Sequence, residues 1–134
     1  MRKQIGSGSV WEDAIGYSRA VRVGNIIEVA GTTSMDGDTL VGADDIYEQT
    51  IFIFRKIEKS LIELGASMKD IVRTRMFVTD IYQWEAVGMA HAEFFADIKP
   101  VSTLVEVKSL ISPELLIEIE VTAIVSEVPG AINI

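Results

Sequence analysis

Pro100–Val125, PVSTLVEVKSLISPELLIEIEVTAIV, holds two runs with a two-residue period. In the first, Val101, Thr103, Val105 and Val107 alternate with Ser102, Leu104, Glu106 and Lys108. In the second, Ile117, Ile119, Val121 and Ala123 alternate with Glu118, Glu120 and Thr122. Successive side chains of a strand point to opposite faces, so each run predicts a strand with one apolar and one largely polar face. The link between them, with Ser112 and Pro113, is long enough for a loop rather than a tight hairpin. A sheet built on these strands has one face to be covered by helices. The other carries carboxylates that need water, a ligand or a partner.

Upstream, Ile71–Val78 predicts a third strand, with Val72, Thr74, Met76 and Val78 on one face and Arg73, Arg75 and Phe77 on the other. Helical periods flank it. Tyr47, Ile51, Phe54, Ile57, Leu61 and Leu64 make one stripe of a helix over Ile46–Leu64, started by Asp44 or Asp45 and ended by Gly65. Arg55, Lys56, Glu58, Lys59 and Glu63 fall mostly on its outer face. A second helix follows Asp80, with Gln83 placed for a capping box and a stripe of Trp84, Val87, His91, Phe94 and Ile98, and Pro100 stops it. Nearer the start, Ala20–Val23 and Ile26–Val29 flank the two-residue turn Gly24-Asn25 as a hairpin. A polar loop with a turn at Asp36-Gly37 follows, and Met1–Ile5 predicts a short edge strand ahead of the flexible Gly6–Ser9.

Composition narrows the function classes. A chain of 134 residues that is 49% hydrophobic predicts one domain, residues 1–134, with its own core. No apolar run approaches the roughly 18 residues of a membrane span, and the N-terminal residues lack the apolar stretch of a secretory signal. With no cysteine there is no disulfide, thiolate or cysteine–metal chemistry, and the expected location is cytoplasmic. A single histidine excludes a multi-histidine metal site. The net charge of −8, with 12 scattered basic residues, argues against a nucleic-acid surface and thus against nuclease or RNA-binding activity.

Two helices cover only one face of the sheet, so the fold class is α+β with both helices on one side. The uncovered face is expected to collect Arg73, Arg75, Glu106, Glu118 and Glu120 with Phe77 and Leu104. A face that mixes apolar residues with opposite charges implies a symmetric oligomer with the charges paired at or near the interface.

Several short segments, in order, resemble the Rid family, also called YjgF/YER057c/UK114. They are Ile15-Gly16-Tyr17-Ser18-Arg19-Ala20, Val23-Gly24-Asn25, Ala30-Gly31, Pro100-Val101-Ser102, Val105-Glu106-Val107 and Ile117-Glu118-Ile119-Glu120. The resemblance implies a chorismate-mutase-like fold and a homotrimer whose sheets form a barrel, with clefts between subunits. It also implies hydrolysis of enamine and imine intermediates to a ketoacid and ammonia, with no metal or bound cofactor. In the deaminating members an arginine just after the proline holds the substrate carboxylate; the aligned position here is Ser102, and an asparagine of the second helix aligns with Gly88. A serine hydroxyl does not replace a fixed guanidinium fork, so deamination of 2-imino acids in the family's usual manner is placed in doubt.

The resemblance makes Glu118 the water-activating or proton-transferring carboxylate. It puts Tyr17, Ala30, Gly31, Thr32, Ser102 and Leu104 at the cleft, the Gly31 backbone N–H contacting a ligand oxygen. Arg75 or Lys108 would supply charge in place of the missing arginine. Each role has a plainer alternative. Glu118 and Glu120 are equally placed to pair with Arg73 and Arg75 across an interface, and His91 reads as a hydrogen-bonded core histidine unless it reaches the cleft as an acid/base. Ser102 and Thr103 have no visible base partner for a nucleophilic role, and Gly31-Thr32-Thr33-Ser34 lacks a phosphate-loop signature. The two function classes left open are a cofactor-independent hydrolase of C–N bonds and a non-catalytic small-molecule-binding or regulatory protein. A ribonuclease or translation inhibitor is less favoured on charge.

The oligomer expectation is checked by sedimentation equilibrium, which should return three chain masses; a mass of one chain refutes it.

Overall fold

The computed structural model describes residues 1–126. In chain order the elements are β1 Arg2–Ile5, α1 Val10–Ile15, β2 Ala20–Val23, β3 Ile26–Thr32, β4 Met35–Asp36, β5 Thr39–Leu40, α2 Ile46–Glu63, β6 Ile71–Val78, α3 Trp84–Phe95, β7 Val101–Glu106 and β8 Ile117–Ile124. Six strands form one sheet in the order β1-β2-β3-β8-β6-β7, while β4 and β5 pair as a separate ribbon. All neighbours in the sheet are antiparallel except β6 and β7. A parallel pair needs a crossover, and α3 supplies it. The fold is α+β, as the strand and helix pattern requires. No helix among the described residues is long and apolar enough to cross a membrane.

The alternation of β8 is realised without exception: Ile117, Ile119, Val121 and Ala123 are buried, and the residues between them face the other way. Their neighbours across the sheet, Thr74, Met76 and Val78 on β6 and Ile27 and Val29 on β3, are buried on the same side. Ile53, Phe54, Ile57 and Leu61 of α2 and Val87 and Phe95 of α3 close that side into the core. Side chains of this size stabilise by roughly 1.5–3 kcal/mol each on full burial.

The helix starts follow simple capping chemistry. Asp45 accepts from the Glu48 N–H, and Gly65, at φ +78°, turns the chain away after Leu64. The short α1 was not expected; Ser9, read as part of a flexible stretch, accepts from Trp11 N–H and caps it. Asp80 caps a 3-10 turn over Ile81–Gln83 by accepting from Tyr82 N–H. The helix proper starts only at Trp84, where Gln83 makes no side-chain cap bond.

Four expected orientations are revised. A bulge opposite Ala123 and Thr122 sends Ile71 into the core and leaves Val72 39% exposed. On β7, Ser102, Leu104 and Glu106 lie in register with Thr74, Met76 and Val78, which places them on the helix side, while Val101, Thr103 and Val105 face outward. Apolar content alone misassigns this edge strand, because its valines sit on a face that a single chain leaves open. On α2 the buried side runs through Ile46, Thr50, Ile53, Ile57 and Leu61, with Tyr47 and Ile51 only half-buried. Polar residues flank that side with internal partners: Thr50 returns its hydroxyl to the Ile46 carbonyl, and Gln49 is wholly buried. On α3, Trp84 is 56% exposed and Ala90 takes an inner position instead.

Gln49 ties the layers together. Its amide donates to the Gly42 and Glu114 carbonyls, and its oxygen accepts from Leu116 N–H, the residue that leads into β8. Gln49→Leu orphans all three backbone groups, so urea unfolding should show a loss of about 2–4 kcal/mol. A loss under about 0.5 kcal/mol would mean that water replaces the amide.

Candidate functional site

The open side of the sheet carries Glu118, Glu120 and Thr122 of β8 beside Phe77, Arg75 and Arg73 of β6. Along β3, Val29 faces Val121 and Thr32 faces Ile119, so Ala30 and Gly31 together oppose Glu120. This β-bulge restores the inward direction at Thr32, which is buried and gives its hydroxyl to the Ala30 carbonyl. It also brings the Gly31 backbone against Glu118. A Cβ at Gly31 would run into Oε2 of Glu118 and stand 3.0 Å from its Cδ. Only a residue without a side chain leaves the carboxyl where it is.

Arg19 completes the cluster. Its backbone extends the ladder on both sides, with its N–H to the Ile5 carbonyl and its carbonyl to the Ala30 N–H. Its Nη2 donates to the Gly31 carbonyl at 2.6 Å. Burial raises the Glu118 pKa, Arg19 draws it down and Glu120 pushes it up again. Burial in turn lowers the Arg19 pKa, while Tyr17, Glu12 and Glu118 support its charge. Lys56 reaches over from α2 and donates to the Met35 carbonyl at 2.8 Å; burial, and then Arg19, lower its pKa.

A groove of about 820 Å³ opens on this side, lined by Tyr17, Ala30, Arg75 and Glu120 among others. Glu118 and Gly31 lie two residues and one residue beyond its Glu120 and Ala30 walls. Arg75 Nη1 meets Glu120 Oε1 at 3.3 Å, both side chains being more than a third exposed. Such a pair contributes at most about 1 kcal/mol. Within one chain the pair formed is Arg75 with Glu120, and Arg19 is the cation whose charge favours ionisation of Glu118.

Ser102, Leu104 and His91 are not brought to this cluster. Thr74 Oγ1 donates to Ser102 Oγ at 2.8 Å and lies 2.9 Å from His91 Nε2. The imidazole packs against Phe54 and Phe95, with ring centroids 5.6 and 4.5 Å away, and burial lowers its pKa. His91 therefore favours the neutral form on the helix side of the sheet. Gly88 is exposed, and a side chain there would meet nothing.

Sequence reasoning missed Arg19, Glu12 and Lys56 as site-forming groups. Arg19 had a signal: it is the single cation between Lys3 and Arg22, one step before the inward-facing Ala20. Glu12 had none, since its carboxylate is held by the Ser7 N–H and hydroxyl of a loop that periodicity does not describe.

A family model described as endoribonuclease L-PSP matches residues 11–125. An uncharacterized protein of Streptomyces coelicolor is 39% identical over 121 residues, covering 90% of each chain. A 3-aminoacrylate deaminase, RutC, of Acinetobacter baylyi is 31% identical over 104 residues, covering 77% of this chain and 82% of its own. The crystal structure of a YjgF/YER057c/UK114 family member from Mycobacterium tuberculosis superposes with a TM-score of 0.86 at 49% identity, covering 93% of this chain and all of the other.

The raised Glu118 pKa has a consequence for stability. The folded state holds this proton more tightly than the unfolded chain, so the contribution is fully present below the ordinary glutamate range and is lost as pH rises through the raised folded value. Glu118→Gln, which cannot ionise, should melt higher than the wild type at pH 7–8, with the gap closing toward pH 3–4. A gap independent of pH would show that the burial of this carboxyl is not what shifts it.

Proposed function

This chain belongs to the endoribonuclease L-PSP family, the Rid (YjgF/YER057c/UK114) group, and on that premise we propose that it hydrolyses the C–N bond of a small enamine or imine. The observation that carries the reading is the seat of Glu118: half-buried, outward-facing, pressed on a glycine, with its pKa raised. A carboxyl in that state passes a proton in either direction more readily than a solvated one. The enamine takes a proton from water at carbon and becomes an iminium ion. As water adds to the C=N carbon, Glu118 accepts one of its protons. The same proton then goes to nitrogen, the C–N bond breaks with its electron pair on nitrogen while the added hydroxyl gives up its remaining proton to solvent, and a carbonyl compound and ammonia result. Tyr17 and the Gly31 backbone orient the substrate, with Ala30 shaping the wall, while Thr32 is buried on the core side and takes no part; neither metal nor cofactor enters the scheme.

The RutC relative, by its name, acts on 3-aminoacrylate, an enamine of this class. We assign the chain a single domain, a cytoplasmic location and a homotrimeric assembly in which the open faces meet as a barrel. Val23, Ile26, Val101, Val105 and Ile124, each 41–56% exposed on that face, support the assembly. Ser102 and Leu104 stand on the sheet's free edge, where a neighbouring subunit would bring them to a cleft. Cleavage of RNA, which the family's name mentions, is not part of this reading, because a net charge of −8 opposes phosphate binding. The second reading, a non-catalytic small-molecule binder, is favoured by Ser102, whose hydroxyl is bonded to Thr74 where a carboxylate-binding arginine would stand.

Ammonia release from freshly generated 2-aminoacrylate and 3-aminoacrylate decides between the two. The wild type should accelerate hydrolysis of at least one, and Glu118→Gln should lose about a hundredfold or more in rate. Gly31→Ala, which displaces the Glu118 carboxyl, should fall with it. Release at the uncatalysed rate by the wild type would remove the hydrolase reading and leave the binder.

A further inference from the structure

Arg19 is mostly withdrawn from water, and among the described residues no carboxylate closes on it; the described ion pair of the chain is Arg75–Glu120. Its Nη2 makes one hydrogen bond, to the Gly31 carbonyl, while its Nε is buried without a partner. Tyr17 acts on it most strongly by charge, and the two carboxylates that follow are otherwise placed: Glu12 is taken up by Ser7, and Glu118 rests on Gly31. A guanidinium presents five donors in a planar fork matched to a carboxylate. A desolvated cation with unused donors calls for an anion. Lys56 adds a second cation close enough to be felt by Arg19.

Of the other cations, Arg2 lines the groove and donates to the Gln4 side chain, and Arg73 stands beside Thr122 on the open face, neither of them at Gly31. Arg75 is neutralised by Glu120. Lys108 lines a separate hollow of about 300 Å³ with Thr79 and Leu115. Arg22 donates to the Gly24 and Leu64 carbonyls on the helix side. Arg19 alone converges with the Glu118 carboxyl on one backbone residue, Gly31.

We propose that Arg19 is the carboxylate anchor of this site, taking the role for which position 102 carries only a serine. The Gly31 carbonyl holds one arm of the fork, the Nε–H is enclosed, and Nη1, with no hydrogen bond among the described residues, is left for the ligand. A carboxylate seated there puts its α- or β-carbon toward Glu118. This deepens the hydrolase reading and rests on it for the identity of the reacting carbon, but the binding of the carboxylate itself is separable from turnover.

The experiment has two arms. In the first, 2-aminoacrylate is supplied by a dehydratase acting on serine, and kcat and KM are measured for wild type, Arg19→Gln, Arg19→Lys and, as a charge control on the outer face of α2, Arg55→Gln. Arg19→Gln should raise KM at least tenfold while kcat falls less than threefold, Arg19→Lys should recover part of the difference, and Arg55→Gln should match the wild type. In the second, pyruvate is titrated into the wild-type protein and the Arg19 Nε–H resonance is followed by NMR, which needs no variant to fold. A saturable shift is expected, and acetone, which lacks the carboxylate, should leave the resonance in place. An unchanged KM in a folded Arg19→Gln variant, or an Nε–H resonance that ignores pyruvate, overturns the anchor. A pyruvate-dependent shift in a protein without turnover keeps the anchor and removes the hydrolase reading.

Discussion

The strict alternation of β8, held between β3 and β6, is the constraint from which the remaining geometry follows. Four apolar side chains must enter the core, and each one that does turns its neighbour outward. Glu118 and Glu120 are thereby committed to the open face with no freedom to choose otherwise. A one-residue slip of β8 would bury both carboxylates beneath α2 and expose Ile117 and Ile119, which burial energies of this size forbid. The central strand thus fixes where acid chemistry can occur before any ligand is considered.

The bulge in β3 is the one departure from regular pairing beside Glu118. It adds a residue opposite Glu120, returns Thr32 to the core and brings a backbone without a Cβ against the Glu118 carboxyl. Two opposed effects then meet at one point. Desolvation works against charge on both Glu118 and Arg19, while each favours charge on the other. On Glu118 desolvation outweighs the guanidinium, and its pKa rises. Because Arg19 is tied to the Gly31 carbonyl rather than closed onto Glu118, the two groups stay distinct.

Much of the fold was legible in the chain. The hairpin Ala20–Val23 and Ile26–Val29, the helix from Ile46, the strand Ile71–Val78 and the two C-terminal strands stand where their periods put them, because each period is enforced locally by burial on one side. The failures share a cause. Val72, the β7 valines and the α2 stripe were assigned by hydrophobicity within one segment, whereas their directions depend on a bulge, on an edge strand's register with β6 and on a buried glutamine bonded across to Leu116.

For the site, the sequence by itself determined that carboxylates alternate with core residues on the last strand and that one chain leaves a mixed face uncovered. These follow from residue order, since period and charge are one-dimensional properties. Only the tertiary structure decided that Glu118 rests on Gly31, that Glu120 is engaged by Arg75, that His91 belongs to the aromatic core, and that Arg19 reaches Gly31 from the bend ahead of β2. The approach of Gly31 and Arg19 to Glu118 joins residues nearly ninety to a hundred positions apart, and it exists only because a bulge and an antiparallel register bring β2, β3 and β8 side by side. No local pattern encodes such a convergence, because each partner by itself looks like an ordinary surface residue.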